Sequence, residues 1–333
     1  MSDPASLSSA GETALGPGSS ASAAPAPRPY ARFSLLRLWA LASNTFTQLL
    51  RMKTLYFLIV FGAALVVFGF IVPASPTGEG LASFGGEQEL RLLKSVALGA
   101  MTWFSCILAI AGTAMLLPKD MEDRTLYTIL CKPVPRFEYL LGKLGGVLLL
   151  MLVCLLLMDA ACCMALYLKQ QGLIVREIAI MEHRGQLTPE KIEQIKTIYG
   201  RYGLDLNFQA AVLGVFWQAS VMAALALLIS TFASSTLFTI MSGLALLIIG
   251  QGQELARDYV FQDLLGADGL AQRVFSVGLA LVLPDLRQFN VIDEVVAGTP
   301  VPGWFLARMA GIALLYLIFY QLLAWFSFSD KEL

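Results

Sequence analysis

The sequence predicts an all-α polytopic membrane protein with about six transmembrane helices, and three observations carry that expectation. Hydrophobic residues make up 57% of the 333-residue chain and charged residues only 14%, where a soluble domain carries roughly 25% charged residues. Six apolar runs approach or exceed the roughly 20 residues that a helix needs to cross ~30 Å of hydrocarbon. Lysine and arginine are spread unevenly between the segments that join those runs. A soluble core could not hide this much apolar surface, because a globular surface needs polar cover; the mean hydropathy is +0.70. The formal net charge of -1 offers nucleic acid no attractive field, so the lipid bilayer is the expected medium.

Residues 1–30 are rich in Ser, Ala, Gly and Pro with almost no large apolar side chain. Such a segment cannot bury enough surface to offset its ordering entropy, which predicts a disordered tail. No basic start leads into an apolar core, so it does not read as a signal peptide. Residues 31–54 differ. Leu35, Leu36, Leu38, Trp39, Phe46, Leu49 and Leu50 alternate with Arg32, Arg37, Asn44, Gln48 and Arg51, the pattern of an amphipathic helix lying in the membrane interface with its arginines reaching toward headgroups. The alternative is a cytoplasmic helix packed on its own protein.

The remainder, residues 55–333, holds the six expected spans at about 55–72, 96–117, 144–168, 210–229, 232–250 and 304–326. In lipid every backbone polar group must pair within its own segment, so these runs must be helices. The fifth is the weakest, because Ser234, Ser235, Thr236 and Thr239 dilute its start. A further run, 274–283, stops at Pro284 after ten residues; it is too short to span and reads as interfacial or re-entrant.

Orientation follows from the basic residues. Arg28, Arg32, Arg37, Arg51 and Lys53 precede the first span, and Lys119, Arg124, Lys132, Arg136 and Lys143 lie between the second and third. The connection between the first two spans has only Arg91 and Lys94, against Glu79, Glu87 and Glu89. The basic segments belong on the cytoplasmic side, and an even span count returns the C-terminus there. Residues 169–209 and 251–303 then lie outside. The first carries six basic residues and five acids, a balance tolerated in longer loops. Within it Thr188-Pro189-Glu190 reads as a helix start, and Ile192, Ile195, Ile198, Tyr199 and Tyr202 recur at helical spacing up to Gly203, predicting a small helical cap.

Chemistry-bearing motifs are sparse. A P-loop needs glycines whose N–H groups cradle phosphate, followed by Lys and Ser/Thr. The nearest fragment is Gly142-Lys143, but position 137 is Phe and Leu144 follows the lysine. Gly250-Gln251-Gly252-Gln253-Glu254 superficially resembles the signature loop of transport ATPases, at the end of the fifth span expected to face away from the cytoplasm. The cysteines, Cys106, Cys131, Cys154, Cys162 and Cys163, lack the spacing of a disulfide framework, and the single histidine, His183, cannot complete a zinc site with them. A membrane-embedded enzyme would need converging acids, histidines or a metal, which these spans do not supply.

Two intramembrane features stand out. Asp159 is the only acid in the expected spans; a carboxylate there is a functional candidate, for cargo or a cation, unless it pairs with a neighbouring helix or reaches outward near Lys169. Met151, Cys154, Met158 and Cys162 share one face of the third span. Thiolate and thioether sulfurs suit Cu(I), but both residue types are ordinary apolar fillers, and no second helix offers a matching cluster.

The most informative stretch is residues 117–146, LPKDMEDRTLYTILCKPVPRFEYLLGKLGG. It reads as two short helices around a rigid break, because Lys132-Pro133-Val134-Pro135 forbids helix. The second helix starts near Arg136 and runs through Gly142-Lys143 into the third span. An ordinary amphipathic hairpin is the plainer alternative. This stretch resembles the signature region of the ABC type-2 permease family, closest to permease components of multicopper-enzyme and nitrous-oxide-reductase maturation systems. The family pattern of an acid, Thr-Leu, a leucine-rich turn, Lys-Pro, an Arg and a closing Gly-Lys falls on Glu122, Thr125-Leu126, Ile129-Leu130, Lys132-Pro133, Arg136 and Gly142-Lys143. Asp123 and Arg124 lie within it; Arg124, Cys131 and Pro135 depart from its commonest residues. The resemblance implies an ATPase-coupling loop in the permease subunit of an ATP-driven transporter, with no cofactor on this chain. ATP and Mg would reside on a dimer of separate cytoplasmic ABC ATPase subunits, and a second permease copy or paralogue would complete the pathway. A non-transporting membrane anchor is the alternative.

Overall fold

A computed structural model describes residues 34–51, 64, 85–116, 135–185, 188–203, 205–233, 235–264 and 284–329. The expected tail (1–30), nearly all of the first span (55–72) and the run 274–283 lie outside the described residues. So does the coupling loop before Pro135, with Glu122, Asp123, Arg124, Thr125, Leu126, Lys132 and Pro133.

Among the described residues the protein is all-helical, with eight α-helices: α1 Leu35–Leu50, α2 Gly85–Ala114, α3 Arg136–His183, α4 Pro189–Tyr202, α5 Leu206–Phe232, α6 Thr236–Leu264, α7 Ile292–Ala297 and α8 Gly303–Ser329. A 3-10 turn, Leu286–Phe289, precedes α7. Four helices, α2, α3, α5 and α8, are long and apolar enough to cross a membrane. The apolar part of α6, Thr236–Gly252, is shorter. The chain therefore has the make-up of a multi-pass membrane protein.

The most enclosed helix is α5. It packs against α2, α3, α6 and α8, and Val221, Met222, Ala223, Ala226 and Leu227 are wholly buried. Its small residues let neighbours approach: a Cβ on Gly214 would come within 2.7 Å of the Phe289 carbonyl oxygen and 3.1 Å of Met309 Cε. Conversely, α8 is the least enclosed and turns Leu314, Leu315, Ile318 and Phe326 outward, as a lipid-facing helix must.

The contacts fix two ends of the bundle. Lys169, late in α3, reaches Glu89, early in α2, at 3.4 Å, so these helices are antiparallel. Phe137, at the start of α3, meets Trp325, near the end of α8, edge-on at 6.4 Å. The start of α3 and the C-terminal part of α8 thus share one end with α1, which packs on α3. At the other end α4, the 3-10 turn and α7 cover the bundle; we call this the cap end.

Several boundaries differ from those the sequence predicts. The second span begins at Gly85, not near 96, so Glu87, Glu89, Arg91 and Lys94 sit on a helix rather than in a loop. The third is one 48-residue helix to His183, about 72 Å long at 1.5 Å per residue, where 169–183 reads as loop. Hydropathy detects where a helix is apolar, not where it stops, and here charged residues pair between helices. The fifth span starts at Thr236, and Phe232 ends α5 instead. In the cap, α4 is bracketed by Thr188 and Gly203 as predicted, although the N-cap contribution comes from the Thr188 carbonyl, which accepts from Lys191 and Ile192 N–H, rather than from its hydroxyl. Burial, with Glu177, Glu87 and Glu89 adding repulsion against a smaller opposing effect of Arg176, pushes the Tyr199 phenol up to about 12. Tyr199 therefore stays a neutral packing group over Gly86.

Candidate functional site

Of the coupling segment, the described part begins at Pro135. Its ring fixes φ, here -58° with ψ 136°, an extended geometry that stops any helix entering from the loop. The Pro135 carbonyl accepts from Tyr139 N–H, and α3 starts at Arg136, as the proline break predicts.

The first two turns of α3 are held from both sides. Glu138 is 1% exposed; its Oε1 accepts from the Ser34 backbone N–H at 3.2 Å, and its Oε2 lies 3.8 Å from Arg37 Nη1. Ser34 is the residue before α1, and its own side chain makes no capping bond. The free N–H groups of a helix start want an acceptor and a negative charge, so Glu138 caps α1 from a different helix. Tyr139 and Lys143 are buried, with the ammonium 5.7 Å from the Tyr139 ring centroid, within cation–π range. Phe137 carries the contact onward to Trp325 of α8.

Gly142 has a structural reason in this arrangement. A Cβ there would sit 2.6 Å from Leu41 Cβ, and one on Gly146 would sit 2.5 Å from Thr45 Cβ and 2.8 Å from the Ala42 carbonyl oxygen. Two glycines four apart form the small-xxx-small face that lets helix backbones touch. Against it α1 places Ala42, Thr45 and Leu49, its buried residues, while Leu35, Leu36 and Trp39 stay exposed. Gly142-Lys143 is therefore a helix-packing element here, inside regular helix where its N–H groups are committed. Gly250 likewise lies within α6, where a Cβ would meet the Leu286 side chain at 2.9 Å and the Pro284 carbonyl at 3.2 Å.

Sequence reasoning passed over Glu138, Ser34 and Gly146. A signal for two of them was present: an acid in the first turn after a proline break, and a second glycine four positions beyond Gly142.

Asp159 lies on the buried side of α3, toward the cap end. Its Oδ1 accepts from Gln209 Nε2 of α5 at 3.2 Å and from the Cys163 thiol at 3.4 Å. Pairing with a neighbouring helix, one of the three readings the sequence left open, is the geometry seen. Met151, Cys154, Met158 and Cys162 all belong to the apolar core, none more than 4% exposed. Among the described residues, no three His, Cys, Asp or Glu side chains gather where they could hold a metal. The sequence matches no family model and no curated protein.

Proposed function

We propose that this chain is the permease subunit of an ATP-driven ABC transporter, acting as an exporter in a bacterial inner membrane with both termini in the cytoplasm. A separate ATPase dimer drives it through residues 117–143, and a second permease subunit completes the path. The observation that carries this reading is the double anchorage of α3 where it leaves that segment. Glu138, Gly142 and Gly146 fasten it to α1, and Phe137 fastens it to α8. A push delivered at the proline break would reach three helices together instead of being lost in a flexible joint. Arg136, partly exposed at the helix start, stands where a cytoplasmic partner could touch it. The shared end of α1, the start of α3 and the C-terminal part of α8 agrees with termini on one side.

Co-purification tests the reading. The permease expressed with its genomic neighbours should bring down an ATPase, and charge reversal at Glu122 or Arg136 should lower the recovered ATPase about tenfold, the equivalent of about 1.4 kcal/mol of binding. Recovery unaffected by either change would refute the role given to this segment. Assembly without ATP-dependent flux in reconstituted vesicles would favour the anchor reading instead.

A further inference from the structure

The cap end of the bundle is stitched together by polar contacts that run from helix to helix. Glu89 of α2 pairs with Lys169 of α3 at 3.4 Å. Asp159 of α3 accepts from Gln209 of α5 at 3.2 Å. Asn207, also on α5, accepts through its side-chain oxygen from the Val301 N–H at 3.2 Å, just ahead of α8. Lys94 of α2, on the same helix as Glu89, is buried. The bonded pairs lie 80, 50 and 94 positions apart, and each tie crosses between different segments. Polar side chains at membrane depth find partners because hydrocarbon offers none; here the partners lie on separate helices or, for Val301, on the approach to α8, so the ties also fix how those elements stand together.

We propose that this belt is a latch that holds the cap end shut. With it made, α2, α3, α5 and the entry to α8 move as one body, and no route opens between them on that side. The Glu89–Lys169 pair is the tie to break, because it joins opposite charges whose side chains are 11% and 20% exposed, so water can replace the bond. Calling the latch a gate rests on the transport reading above; the latch itself does not.

Hydrogen exchange of the full chain in lipid nanodiscs, without ATPase or cargo, tests it. In the wild type, residues 86–94 and 165–175 should exchange slowly. Lys169→Glu sets two acids against each other and should speed exchange in both segments about tenfold, the effect of shifting a two-state balance by one decade. Residues 136–146, at the far end, should be unchanged. The double variant Glu89→Lys/Lys169→Glu restores opposite charges and should return both segments to within about twofold of wild type. Three results would overturn the latch: no change in Lys169→Glu, a double variant as fast as the single one, or equal loosening at 136–146. Failure to recover an ATPase partner would remove the transport role but leave these rates as predicted, so the two ideas fail separately.

Discussion

At the scale of single residues, Glu138 is the least expected participant. As a sequence position it is an acid among Arg136, Phe137 and Tyr139 in the first turn after a proline break, and that placement alone does not reveal its partners. It is buried only because α1 folds over it, and there it caps that helix at Ser34 and faces Arg37. Glu138→Ala leaves the Ser34 N–H without its acceptor and should cost about 1–3 kcal/mol of docking free energy. Hydrogen exchange over residues 34–50 should accelerate accordingly, while exchange in α5 stays slow. Unchanged exchange in α1 would mean that the helix is held by its apolar face alone. Asp159 shows how a residue picked out by its type can be satisfied by something the sequence cannot display: its partner Gln209 is fifty positions away.

At the scale of elements, the contact between α1 and α3 is decided by what is missing from Gly142 and Gly146. Gly146→Ala forces a methyl group against Thr45 and the Ala42 carbonyl, and overpacking of that kind costs about 1–3 kcal/mol. Gly145 is the control, because a Cβ there would lie 3.6 Å from Ala42 Cβ, an ordinary contact. Gly145→Ala should therefore be nearly neutral, and protease sensitivity of α1 should rise in the first variant and not in the second. Equal sensitivity would refute the close-packed interface. Much of this layer was legible in the sequence. Proline placed the start of α3, Thr188-Pro189 and Gly203 bracketed α4, and long apolar runs marked α2, α3, α5 and α8. What was not legible is how far helices run beyond their apolar parts. Residues 85–95 and 169–183 read as loop because they carry charge, yet they are helical because Glu89 and Lys169 find each other and Tyr199 packs over Gly86. Such pairings are set by neighbours remote in the chain, which no local pattern encodes. The glycine pair of α3 was half legible: Gly142 belonged to a recognisable motif, and its mechanical meaning emerged only with α1 in place.

At the scale of the whole molecule, the two ends of the bundle are built differently. The cap end is closed by polar ties between α2, α3, α5 and the approach to α8. The opposite end gathers α1, the start of α3 and the C-terminal part of α8 around one joint, held by a capped helix start, a glycine face and an aromatic contact. A device that is pushed at one end and released at the other needs this asymmetry, with a stiff joint where force enters and a breakable latch where the path would open. Coupling to a cytoplasmic ATPase therefore depends on which side of the membrane the joint occupies. Arg136→Cys, in a chain with Cys131 and Cys163 replaced by Ser, can be labelled with a membrane-impermeant thiol reagent in vesicles of either orientation. Labelling only when the cytoplasmic face is exposed to the reagent is the predicted result; labelling from the opposite face would put the joint beyond the reach of any cytoplasmic ATPase and contradict the account.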